Sequence, residues 1–297
     1  MIYYILLILT TLIATGKALL CKAIGTEKTS KKEKMLLNSK VFFVAFLISF
    51  IFVIDKLPQL FSISLYSLVF SICFAISLTV TQLMQMKAMG NGPASTVTLI
   101  FSSGFLIPII YSLIFLSEKV SFAKWIGVAL LLLALVLSVA KKEEKKSLIA
   151  WLPAAIISMV GSGISAIIQK NHQSSQYSGE IYAFIVYCLF FSTVLSFVAH
   201  LLLKEPCNKK IEIAKKQVIL SKLILPLCLG VCVVLSNFFN LILAGKLPSV
   251  VLFPIYNVGS LLLVSMISFV IYKEKATVIQ SVGFCIGVIA ILIIGML

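Results

Sequence analysis

The chain of 297 residues is 61% hydrophobic and only 12% charged, with a formal net charge of +15. A soluble globular domain is nearer half apolar and a quarter charged. The composition, with a mean hydropathy of +1.13, therefore excludes a water-solvated surface and predicts an integral membrane protein. All the positive charge is lysine, since arginine is absent; it reads as loop charge rather than as a nucleic-acid surface.

Apolar runs long enough to span a bilayer, about 17–25 residues, follow one another at 2–21, 37–54, 61–86, 93–116, 122–140, 148–168, 180–203, 218–243, 248–272 and 277–296. They predict ten transmembrane helices, separated by Lys, Asn, Gly, Pro and Ser. The runs are too continuous for the alternating strands of an outer-membrane barrel. The first run lacks a basic leader and a small-residue cleavage site, so it reads as the first helix rather than a signal peptide.

Lys17, in ATGKALL, is the lysine expected inside a helix. Late in its helix it either snorkels to the interface or faces a cavity and attracts an anionic group of a substrate. In the third run Gln82 and Gln85 share a helix face, as Asn237 and Asn240 do in the eighth. Ser102, Ser103 and Gly104 lie midway along the fourth run, and Tyr256, Asn257 and Gly259 at the same depth of the ninth. Polar side chains at membrane depth face protein or a wet cavity. Interhelical hydrogen bonding and cavity lining are both open readings for these positions.

The stretch GNGPASTVTLIFSSG, from Gly90 to Gly104, is echoed by GKLPSVVLFPIYNVG, from Gly245 to Gly259, 155 positions later. Both carry Gly first, Pro fourth, an aromatic twelfth and Gly fifteenth. The match extends from Gln82 and Gln85 (Asn237 and Asn240) through Glu118 (Glu274) to Gly127 (Gly283). An internal repeat of five helices is the economical account, with residues 1–143 as the first copy and 144–297 as the second. An odd number of spans per copy makes the second copy inverted in the membrane, a construction common among secondary transporters.

The sequence disfavours other chemistries. The seven cysteines show no CxxC spacing and read as small apolar packing, with no metal centre and no cofactor expected. No GxxxxGK[ST] motif is present, so the chain carries no ATPase of its own. All ten acidic residues fall in predicted loops or near helix ends, which disfavours proton antiport by a buried carboxylate. The absence of arginine removes the usual bidentate phosphate clamp.

Ten helices as five plus five resemble the EamA branch of the drug/metabolite transporter (DMT) superfamily. The likeness rests on a small residue and Pro opening the fourth helix of each copy, an acidic residue after it and Gly in the fifth helix. Here these are Pro93, Glu118 and Gly127, with LSEKVSFAKWIGVALLL, and Pro248, Glu274 and Gly283, with YKEKATVIQSVGFCIGV. The resemblance implies transport rather than enzymatic activity. It also implies cytoplasmic termini, against the lysines: 19 flank one set of loops and 5 the other, which puts the termini outside.

The expectation is an all-α integral membrane protein of ten transmembrane helices as two inverted five-helix repeats. It would be a multi-pass protein of a bacterial cell membrane exporting or exchanging a small polar or amphiphilic metabolite, such as an amino acid. Candidate substrate-binding residues are Lys17, Gln82, Gln85, Ser102, Gly104, Asn237, Asn240, Tyr256 and Asn257. Glu118 and Glu274 are candidates for capping their own helices or for gating by pairing with lysine. The expected partners are the substrate and the lipid bilayer, with no nucleic acid; a homodimer is left open. The alternatives are a non-transporting membrane subunit or sensor, and a membrane-embedded enzyme of lipid-intermediate metabolism.

Overall fold

The computed structural model describes residues 2–26, 30–92, 94–118, 120–138, 145–203, 224–272 and 278–296. The helices are α1 (Ile2–Thr26), α2 (Lys31–Ser49), a short α3 (Leu57–Phe61), α4 (Leu65–Asn91), α5 (Ala94–Ser103), α6 (Leu106–Phe115), α7 (Phe122–Ser138), α8 (Lys145–Ser174), α9 (Ile181–Leu202), α10 (Leu225–Ala244), α11 (Ser249–Tyr272) and α12 (Val278–Met296). Among the described residues there is no strand. Eight stretches are long and apolar enough to cross a membrane, one of them running through α5 and α6 together. The apolar parts of α7 and α12 are shorter, at Phe122–Ala134 and Ser281–Ile294. Eight of the ten expected spans thus have the length and hydropathy to cross, the fifth and tenth falling short, and the chain is a multi-pass membrane protein.

Local chemistry sets several boundaries. Ser30 caps α2 in a reciprocal capping box with Glu33, and the Ser64 hydroxyl accepts the Ser67 N–H at the start of α4. Side chains such as Ile5, Leu12, Phe43, Leu47, Ile114, Phe122, Leu201 and Leu292 are exposed on the outer helix faces. So much exposed apolar surface suits acyl chains and would be untenable in water.

The strongest packing pairs are α4 with α8, α7 with α12, α2 with α9, α1 with α10, α2 with α10, α4 with α9, and α1 with α11. One core, around Phe42, Phe74, Phe184 and Leu189, joins α2, α4, α9 and α10. A second, around Leu7, Phe105, Leu131 and Leu261, joins α1, α6, α7, α11 and α12. A third seats Trp151 of α8 beside Met89 and Val97. Polar residues tie some of these contacts. The Gln82 amide donates to Asn38 Oδ1 (3.0 Å), and Asn38 Nδ2 donates to Ser196 Oγ (2.9 Å), linking α4, α2 and α9.

Three expectations change. The fourth run is broken rather than continuous: α5 stops at Ser103 and α6 starts at Leu106. Pro108 lacks the N–H that would bond the Gly104 carbonyl, and that carbonyl takes the Ile107 N–H instead, at 3.2 Å. The first and sixth helices are longer than read, ending at Thr26 and Ser174. Lys17 is therefore not at a helix end. Nine residues separate it from Thr26, about 14 Å at 1.5 Å per residue, too far for its ammonium to snorkel past that end.

A polar cavity and the latch at its end

A cavity of about 70 Å³ lies where six spans converge. By this measure a water needs roughly 10–15 Å³, so the space holds a few waters or a very small solute. Lys17 enters from α1, Thr81 from α4, Gly104 from the α5–α6 break, and Gln169 from α8. Asn237 and Asn240 come from α10, Tyr256 and Asn257 from α11. The apolar walls are Phe101, Phe105, Pro108 and Phe253. The hydrogen-bonding capacity is only partly used. The Asn237 amide donates to the Val233 carbonyl (2.8 Å) and the Asn257 amide to the Phe253 carbonyl (2.9 Å), each within its own helix. The Asn240 Oδ1 and Thr81 Oγ1 atoms are buried with no hydrogen-bond partner, an arrangement that is costly unless something else occupies it.

Small residues make the convergence feasible. A Cβ on Gly104 would lie 2.7 Å from the Met159 carbonyl oxygen and 2.6 Å from Ser162 Oγ of α8. A Cβ on Gly259 would lie 2.9 Å from Thr11 Cγ2 of α1. Each glycine lets its span touch a neighbour that a larger residue would hold away. Between these two spans, Ser102 Oγ donates to the Asn257 carbonyl at 3.1 Å.

One end of the bundle is tied by charge. Glu118 Oε1 pairs with Lys170 Nζ at 2.7 Å. The same ammonium donates to the carbonyls of Ala244 and Leu247, both at 3.0 Å. Glu118 Oε2 accepts the Ser249 N–H at 2.9 Å, and the Ser112 and Ser249 hydroxyls share a 2.6 Å hydrogen bond. Glu118 is thus a helix cap, but of α11 rather than of α7, the helix that follows it. The lysine satisfies the carbonyl of the last residue of α10 and one from the turn that follows it. Separately, Glu180 Oε2 accepts from the N–H (3.1 Å) and hydroxyl (2.7 Å) of Ser64, pinning α4 to the start of α9.

Of the residues singled out in the sequence, Lys17, Gly104, Asn237, Asn240, Tyr256 and Asn257 line the cavity. Ser102 lies against Asn257 at its edge. Gln82 turns to Asn38, and Gln85 is buried with an unpartnered Oε1, outside the lining. Glu274 and Pro93 lie outside the described residues. Sequence reasoning missed Thr81, Ser162, Ser165 and Gln169. The last three come from GSGISAIIQ in α8, a stretch whose serines and glutamine have no counterpart in the doubled pattern.

No curated protein matches the chain. A solved crystal structure, described only as that of a protein, is 16% identical over 96% of this chain and 95% of its own, with a TM-score of 0.69. At that identity the likeness concerns the fold alone. Residues 1–140 match the EamA-like transporter family. That segment, which supplies α1, α4, α5 and α6 to the cavity, is similar to the EamA-like transporters of the drug/metabolite transporter superfamily.

Proposed function

We propose that the protein is a secondary transporter, exporting or exchanging a small polar or amphiphilic metabolite such as an amino acid. It works by alternating access around the central cavity. The observation that carries this reading is the polar cavity at the crossing of six spans, with buried acceptors left unpartnered at its wall. A bundle built only for rigidity would fill that space or pair those atoms.

The transport cycle follows from two inverted five-span repeats, residues 1–143 and 144–297. Three features support that arrangement. Each major helix pairing has a counterpart when the halves are exchanged: α4 with α8 and α10 with α1, α2 with α10 and α9 with α4. Gly104 and Gly259 each meet the first helix of the opposite half. Ser102 also touches Asn257, its own counterpart 155 positions on, which requires both to lie near the pseudo-two-fold axis. One packing and its inverse then give two states of similar energy. The Glu118–Lys170 latch closes one end in the present state. Its release frees α11 and the end of α10 together, and the α5–α6 break supplies the bend. Residence in a bacterial cell membrane suits the composition, and the protein acts as a carrier rather than an enzyme.

The test is flux in proteoliposomes loaded with labelled metabolites. Asn240→Ala should lower flux at least tenfold while the amount of protein in the membrane stays constant. Unchanged flux would remove Asn240 from the site.

A further inference from the structure

Among the described residues, Lys17 and Lys170 lie inside the bundle, and their surroundings are opposite. Lys170 is fully matched, by Glu118 and by two carbonyls. Lys17 lines the cavity, and among the described residues its ammonium has no hydrogen bond or ion pair. Of the residues lining the cavity, Lys17 is the one basic residue, and none is acidic. The titratable neighbours it senses are the thiols of Cys21 and Cys232, which offer no stable counter-charge. An unmatched ammonium at this depth costs folding free energy, and such residues mark substrate or ion pathways. In the same lining the Asn240 Oδ1 atom is an acceptor without a donor. The cavity therefore lacks both an anion for Lys17 and a hydrogen-bond donor for Asn240.

We infer that the cavity selects a small organic carboxylate, its anionic group held by Lys17 and its hydroxyl or ammonium donor by Asn240. Its consequence for transport rests on the reading above; its binding test does not. A hydroxy acid and an amino acid share this chemistry and differ in net charge. Either neutralises Lys17, and both supply a donor to Asn240. A matched amide lacks the anion and leaves the lysine as it was.

The experiment uses the full-length protein in detergent and in proteoliposomes, with lactate, lactamide, alanine and alaninamide as probes. In thermal unfolding at millimolar probe concentrations, lactate or alanine should raise the midpoint of the wild type and the amides should not. Lys17→Gln should abolish that response, and Lys17→Arg should keep part of it. Loss of a charge-assisted contact predicts a 10- to 100-fold weaker apparent affinity. Without probe, Lys17→Gln should unfold no earlier than the wild type, because it removes an unmatched charge; a structural lysine would behave oppositely. Carboxylates that stabilise the wild type no better than their amides overturn the inference, as does a Lys17→Gln protein that responds like the wild type. A chloride-salt control that reproduces the shift also overturns it. Amide flux without carboxylate flux leaves transport standing and removes the carboxylate. Carboxylate binding without any flux does the reverse.

Discussion

The fourth and ninth spans carry the same spaced pattern and fold differently. Residues 94–115 break into α5 and α6 at Gly104 and Phe105, whereas α11 runs unbroken from Ser249 to Tyr272. The matched glycines behave alike, Gly104 against α8 and Gly259 against α1. The prolines do not match. Pro108 falls four residues after Gly104 and stands in the first turn of α6, where a missing N–H costs little. Pro254 falls five residues before Gly259, inside α11. The shared spacing thus goes with close approach between helices, while the two unmatched prolines differ in place, Pro108 at the break and Pro254 within an unbroken helix.

Changes at the two glycines, at the latch and at Pro108 would break or sharpen this comparison. The largest effect is expected from Gly104→Val. Its Cβ meets the Met159 backbone oxygen, which cannot move away without displacing α8. Overpacking typically costs about 1–3 kcal/mol and sometimes more, and this site belongs at or above the upper end. At Gly259 the obstacle is the end of the Thr11 side chain, so Gly259→Ala should cost about 1 kcal/mol, and adding Thr11→Ser should recover most of it. Unfolding in detergent would measure both; equal penalties would refute the claim that one neighbour is rigid and the other yielding.

The next effect concerns the latch that joins the end of the fourth span to the start of the ninth. Lys170→Gln leaves Glu118 facing Ser249 without its cation. Breaking a buried pair costs about 3–5 kcal/mol; the Glu118 side chain is 17% exposed, so roughly 2 kcal/mol is expected. Thiol labelling of a cysteine placed at Ser112 should become faster in the variant. Unaltered labelling would mean that the pair does not hold this end closed.

The smallest thermodynamic effect is expected from Pro108→Ala. It restores an N–H able to bond the Gly104 carbonyl and so to join α5 to α6. Stability should change by about 1 kcal/mol or less, while flux falls severalfold because the bend is lost. Wild-type flux with a continuous helix would show that the break has no part in transport.

Much of this was legible in the sequence because it depends on solvent and spacing. The bilayer demands long apolar runs, so their positions were readable, although α8 extends further than hydropathy suggests because polar residues such as Gln169 and Lys170 are sheltered inside the bundle. Recurrence of polar residues 155 positions apart pointed to four of the six spans that meet at the cavity, the third, fourth, eighth and ninth. It could not separate Asn240, which lines the space, from Gln85 on the matching turn of α4, since a helix repeat gives depth but not facing. Nor could it find the partner of Glu118. A carboxylate before a helix ordinarily caps that helix, and only the packing of α8 against the α10–α11 turn brings Lys170 and Ser249 within reach.

Composition and periodicity alone established a helical membrane protein with a doubled pattern, because burial in lipid and helical spacing are properties of the chain itself. Which polar atoms face the shared space, which lysine is matched and which span is broken were decided by the assembled bundle. Those properties depend on neighbours far apart in the chain, and on whether a glycine or a proline meets them at the point of contact.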